Sequence, residues 1–133
     1  MKTYSHLFFD CDGVVLNSNH IKTKTFYDVA LKYGRDKAEE LVNFHIANGG
    51  ISRYAKFKYF LENITKCYSE LEYLELINEY GELLKESLTK AEISEGIFDL
   101  KKVFPNTLNA IISGSDEEEL KWLFNKKKIS NIF

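Results

Sequence analysis

The chain has 133 residues, 44% of them hydrophobic and 14% aromatic, with a formal net charge of −2. That composition excludes a disordered chain, and the length suits one small domain or one domain carrying an insertion. The mildly acidic balance argues against general nucleic-acid binding. No stretch approaches the ~20 apolar residues of a membrane helix, and no export signal is visible, so a cytoplasmic protein without a membrane partner is expected. The two cysteines, Cys11 and Cys67, lack metal-site spacing and are expected to stay reduced thiols.

The first informative stretch is Leu7 to Ser18. An apolar run, Leu7-Phe8-Phe9, leads into Asp10-Cys11-Asp12-Gly13 and then Val14-Val15-Leu16. A short apolar run stopped by glycine predicts a buried strand ending in a turn. Positions two apart on an extended chain share a face, so the Asp10 and Asp12 carboxylates are expected to converge. Two carboxylates together suit a hard divalent cation such as Mg²⁺, or one nucleophile beside one proton carrier. Aspartates that only cap a turn are the plainer alternative.

Residues 19–90 read as helices. His20 to Tyr33 places Phe26, Val29, Ala30 and Tyr33 on one face, with Ser18 or Asn19 as cap and Gly34 as stop. Asp36 and Glu39 form an acidic capping box ahead of Leu41, Val42, His45 and Ile46. Asn48-Gly49-Gly50 breaks the pattern, and Ser52 caps a third helix with Tyr54, Phe57, Phe60, Leu61 and Ile64 inside. Ser69 and Glu72 make another capping box, and Leu74, Ile77, Gly81, Leu84 and Leu88 mark a long amphipathic helix. His6, His20 and His45 show no metal spacing and are expected to be structural or surface residues.

Ile97, Leu100, Val103 and Phe104 stand at helical spacing until Pro105. Leu108 to Ile112 reads as a second buried strand, ending in Ser113-Gly114-Ser115-Asp116. A strand-to-helix turn of this kind presents N–H groups to an anion, or its serines and aspartate simply cap the next helix. That helix, from about Asp116 to Lys127, turns Leu120, Leu123 and Phe124 inward. Its acidic start and basic end complement the helix dipole, which accounts for both charge runs. Ile129 to Phe133 looks like the approach to another strand.

The segment Asp10-Cys11-Asp12-Gly13-Val14-Val15, behind its apolar strand, resembles motif I of the haloacid dehalogenase (HAD) superfamily, mostly Mg²⁺-dependent phosphatases. The apolar run ending in Ser113-Gly114 is similar to motif II. Between the two lies a helical stretch matching the inserted cap of phosphoglycolate phosphatase and β-phosphoglucomutase-like members. The resemblance implies an α/β fold, a partial Rossmann-like parallel sheet at 1–18 and 94–133 with an α-helical cap at 19–93. It implies Asp10 as nucleophile, Asp12 as acid/base, both at the Mg²⁺ site, and Ser113 and Gly114 as the phosphate cradle. The loop 48–53 resembles the family's substrate loop, where Arg53 would clamp an anionic part of a small phosphorylated metabolite; a solvent-exposed Arg in a plain turn is the alternative. Asn17 departs from the Asp of many relatives. The family's downstream lysine and acidic motifs fall on no residue here, so an N-terminal part of a family member, weakly active by itself, is expected. A phosphomutase, a dehalogenase of the same superfamily, and a non-catalytic phosphate-binding or regulatory module are the alternatives.

Overall fold

The computed structural model describes residues 2–133. It is mostly helical with one two-stranded parallel sheet, β1 (His6–Phe9) beside β2 (Leu108–Ile111). The helices are α1 (Asn19–Ala30), α2 (Arg35–Ala47), α3 (Arg53–Tyr59), α4 (Glu70–Leu88), α5 (Leu100–Val103) and α6 (Glu117–Lys126). The chain divides into two compact units. One joins the segment ending at Asn19 to Leu88–Phe133, and the other is His20–Ser87.

In the sheet unit, His6, Leu7, Phe8 and Phe9 pair in register with Leu108, Asn109, Ala110 and Ile111. Register partners on parallel strands share a face. The face of Phe9 and Asn109 is covered by the C-terminal residues: the Phe133 ring lies 5.8 Å from that of Phe9, and Asn109 donates to the Ile132 carbonyl at 3.0 Å. The opposite face is bare, with Phe8 65%, Leu108 66% and Ile112 65% exposed. The expectation of two buried strands is therefore corrected to half-buried ones, because the covering elements lie on one side only. Residues 129–133 also depart from the expected strand. Ser130–Ile132 closes into a 3-10 turn that tucks Ile129 and Ile132 into the core.

The helical unit is built around aromatic rings. Phe26 of α1 stacks at 4.3 Å from Tyr80 of α4 and 5.3 Å from Phe57 of α3, all three buried. Each such ring contributes roughly 1.5–3 kcal/mol by leaving water. Ser52 caps α3, its hydroxyl accepting from the Ala55 N–H, and the Ser69 hydroxyl accepts from the Glu72 N–H at the start of α4. The last turn of α3 widens into a π turn at Phe60–Ile64.

Three local expectations are corrected. Gly34, at φ 105°, takes the N-cap position of α2, so Asp36 and Glu39 do not form its capping box. Ile46 points outward, while the buried stripe of α4 is Leu76, Tyr80, Leu84 and Leu88 rather than one through Leu74 and Ile77. The region before Pro105 is a 3-10 turn at Glu95–Asp99 followed by the single turn α5, and Val103 is exposed. Among the described residues no helix is long and apolar enough to cross a membrane.

Phe57→Ala is expected to cost about 3–5 kcal/mol in urea denaturation, whereas Phe8→Ser on the bare sheet face stays within about 0.5 kcal/mol of wild type. An equal loss at both positions would mean that the sheet face is covered.

Alkaline stability gives a second check. Burial, then the charge and hydrogen bond of Glu72, push the Tyr33 hydroxyl up to about 12. The unfolded chain releases that proton near pH 10, so between pH 10 and 12 the folded state holds more protons and stability falls as pH rises. Tyr33→Phe is expected to make the fall shallower. Some slope remains, because Tyr68, hydrogen-bonded to Glu70, is also raised to about 12. A slope identical to wild type would refute the assignment.

Candidate functional site

Parallel pairing places the carboxyl ends of both strands at the same end of the sheet. Ile112 N–H donates to the Phe9 carbonyl at 2.8 Å, so the last paired residues lead directly into Asp10 on one strand and Ser113 on the other. In open α/β sheets this end is where ligands bind. Asp10, Asp12, Ser113 and Gly114 therefore share one end of one sheet, while Arg53 belongs to the helical unit.

The extended chain stops at Phe9, so Asp10 and Asp12 are not presented by strand alternation as the sequence pattern predicts. The chain coils instead: the Cys11 carbonyl accepts from Val14, Val15 and Leu16 at 3.3, 2.9 and 3.0 Å, and Gly13 N–H donates to the Leu16 carbonyl at 2.7 Å. Buried Cys11, Val15 and Leu16 anchor this coil, which leaves Asp10 exposed and Asp12 half-buried. Cys11 is thus the packing residue expected of a thiol between two carboxylates. Its backbone N–H donates to Asp10 Oδ1 at 2.7 Å.

Asp12 is held by a residue that motif reading passed over. The buried Ser18 hydroxyl donates to Asp12 Oδ1 at 2.6 Å. The signal available was modest: a small hydroxyl residue closing the apolar run Val14–Leu16. The connector that follows is pinned as well. Leu16 bridges Ile93 in antiparallel fashion, Asn17 N–H donates to the Glu92 carbonyl at 2.9 Å, and Ser94 N–H donates to the Val15 carbonyl at 2.9 Å. Lys127, at the C-cap of α6, adds a clasp, its ammonium donating to the carbonyls of Thr89 and Ala91. Burial pulls the Lys127 ammonium below the usual lysine range.

On the second strand the half-buried Ser113 hydroxyl accepts from the Ser115 N–H at 3.1 Å, which tightens the turn before α6. Asp116 takes the N-cap position of α6. A cavity of about 620 Å³ lies along β2 and α6 and reaches Ser113 and Ser115; Asp10 and Asp12 are not among its walls. The donors at the strand ends are oxygens only, and an exposed Asp10 leaves room for water ligands, the chemistry a hard cation prefers. Among the described residues no three or more His, Cys, Asp or Glu side chains gather as a metal cage.

Arg53 opens α3 and is 7% exposed, its guanidinium 4.9 Å from the centre of the Tyr80 ring. This rules out the alternative of a solvent-exposed arginine in a plain turn. The reason is the Ser52 cap, which starts the helix so that Arg53 falls on the inward face.

Gly13 has φ 79°, and a Cβ there would come 2.4 Å from Asn19 Nδ2. Gly13→Ala is expected to lower stability by about 1–2 kcal/mol, read as a shift in the urea midpoint. Gly49→Ala, which meets nothing within 4 Å, is expected to be neutral. Equal midpoints for the two variants would count against a fixed coil at 11–16.

Comparison with known proteins yields one fold-level finding. No family model matches the chain, and no curated protein matches it. The crystal structure of a "putative phosphatase" from Clostridium difficile is similar to it with a TM-score of 0.64 and 16% sequence identity. The match covers all of this chain and 60% of that protein, so the chain spans less than two thirds of its length. At such identity the likeness is one of fold, compatible with a partial α/β architecture.

Proposed function

We propose that the chain is the HAD-type part of a phosphatase that hydrolyses a small phosphorylated metabolite through an aspartyl-phosphate. The observation that carries this reading is the register of β1 and β2, which sets Asp10-Cys11-Asp12-Gly13 and Ser113-Gly114 at one end of the sheet. The similarity in fold to a protein described as a phosphatase supports it at a coarser level.

In this reading an Asp10 carboxylate oxygen attacks phosphorus, a P–O bond forms, and the bond to the leaving oxygen breaks. Asp12 delivers the proton that the leaving oxygen needs. It then takes a proton from water, whose oxygen attacks the phosphorylated Asp10 and releases inorganic phosphate. Ser18 holds the Asp12 carboxylate in one orientation, which favours proton transfer to a defined position. This favours a phosphatase over a dehalogenase, which has no leaving oxygen to protonate. The Ser113 hydroxyl and the Gly114 N–H steady the transferring phosphoryl oxygens. The Asp10 carboxylate and the Asp12 main-chain carbonyl would hold Mg²⁺, which when bound offsets the phosphate's negative charge. In this reading the helical unit corresponds to the family's cap.

Asp10→Asn is expected to remove Mg²⁺-dependent hydrolysis of aryl phosphates by about 10⁴-fold or more, and to remove the phosphoryl adduct that peptide mass spectrometry locates on residue 10. Asp12→Asn is expected to slow turnover about 10²–10⁴-fold, with the larger loss for poor leaving groups. Turnover surviving Asp10→Asn would overturn the reading, and slowing that ignores the leaving group would remove Asp12 as the acid.

A further inference from the structure

Two observations single out the outer edge of β2, the edge that β1 does not cover. Leu108 N–H donates to the Ser5 carbonyl at 2.9 Å, and Ile112 N–H donates to the Phe9 carbonyl at 2.8 Å. In a parallel ladder the N–H and C=O of one residue face the same neighbour, and successive residues alternate. Leu108, Ala110 and Ile112 therefore turn their backbone groups to β1, while Asn109 and Ile111 direct theirs outward. The cavity of about 620 Å³ is walled by Asn109, Ala110 and Ile111 in succession. Successive side chains point to opposite faces, so a cavity touching three in a row runs along the strand edge and not over one face.

This edge is undefended. The stretch Leu108-Asn109-Ala110-Ile111-Ile112 has neither a charge nor a proline to turn another strand away. Across the cavity, Leu120 and Phe124 of α6 supply apolar surface. The charged walls, Glu117 and Lys121, are ion-paired at 2.9 Å and neutralise each other. The outward backbone groups of Asn109 and Ile111 stand about 6.6 Å apart, the repeat of an extended chain. Together these features specify the occupant: an uncharged, extended segment with apolar side chains at alternate positions. Because α6 walls the same cavity, the segment enters as a single bare strand; a folded second copy would bring its own α6 to that space.

We propose that the outer edge of β2 is a strand-addition site for an uncharged, extended peptide segment of a partner protein. The backbone of Asn109 and Ile111 pairs with the segment, and the apolar side of α6 holds its alternate side chains. Asp10 and Asp12 are not walls of this cavity, so the site stands independently of the phosphatase reading.

The test titrates the ¹⁵N-labelled full chain with the peptide acetyl-Val-Thr-Val-Thr-Val-amide. Saturable shifts of the Asn109 and Ile111 amides are expected, with their hydrogen exchange slowed about tenfold or more and that of Ala110 unchanged. The same peptide methylated on every backbone nitrogen is expected to give neither effect. Asp10→Asn is expected to bind the parent peptide within about twofold of wild type. Shifts that never saturate overturn the site. Equal binding by the methylated peptide reduces it to an apolar pocket and overturns strand addition. Protection of Asn109 and Ile111 that grows with chain concentration, without peptide, makes the occupant a second copy and also overturns the proposal. Binding lost in Asp10→Asn places the peptide at the strand ends and does the same. Aryl phosphate turnover does not enter this titration, so the phosphatase reading and the strand-addition site fail separately.

Discussion

The parallel pairing of β1 with β2 is the constraint on which the rest depends. Two parallel neighbours cannot be joined by a tight turn; the chain must leave one end of the sheet and return to the other. Here the return path contains the whole helical unit as well as α5 and its preceding 3-10 turn. The same pairing brings both strand ends to one place, so residues roughly a hundred positions apart in sequence become neighbours in chemistry. A one-residue slip would turn Asn109, now buried and bonded to Ile132, onto the bare face, and Ala110 or Leu108 into its place. The buried amide therefore helps set the register that brings Asp10 and Ser113 to the same end of the sheet.

Much of this was legible in the chain, for reasons that differ by region. The strands announced themselves through apolar runs stopped by Asp or Gly, and the helix breaks through Gly34, Asn48-Gly49-Gly50 and Ser52, whose backbone preferences are local. What misled was burial. Leu7 to Phe9 is apolar enough for a fully covered strand, but coverage depends on what packs against it, and that is not a local property. The stripe of α4 slipped for a related reason: Leu74 and Leu76 are equally apolar, and only the position of Phe26 and Phe57 makes Tyr80 and its neighbours the inner face.

The candidate site divides in the same way. Asp10, Asp12, Ser113 and Gly114 were visible as motifs, because each belongs to a short contiguous pattern. Ser18 was not, since it gains its meaning from a partner outside its own motif, Asp12 across a coil. Whether Asp10 and Asp12 converge could not be read from strand alternation, because the coil at 11–16 replaces the strand just where that rule would apply.

The Leu16–Ile93 bridge has a topological corollary. The chain departs for the helical unit and comes back from it through two segments hydrogen-bonded side by side. A segment whose two ends lie together is an appendix to the main path: excising it and joining Asn17 to Glu92 through a short linker removes no hydrogen bond between β1 and β2. The same closeness lets a different helical segment be spliced in without changing the sheet's register. The helical segment and the strand-end residues can then be varied separately, by exchange at the seam and by point substitution.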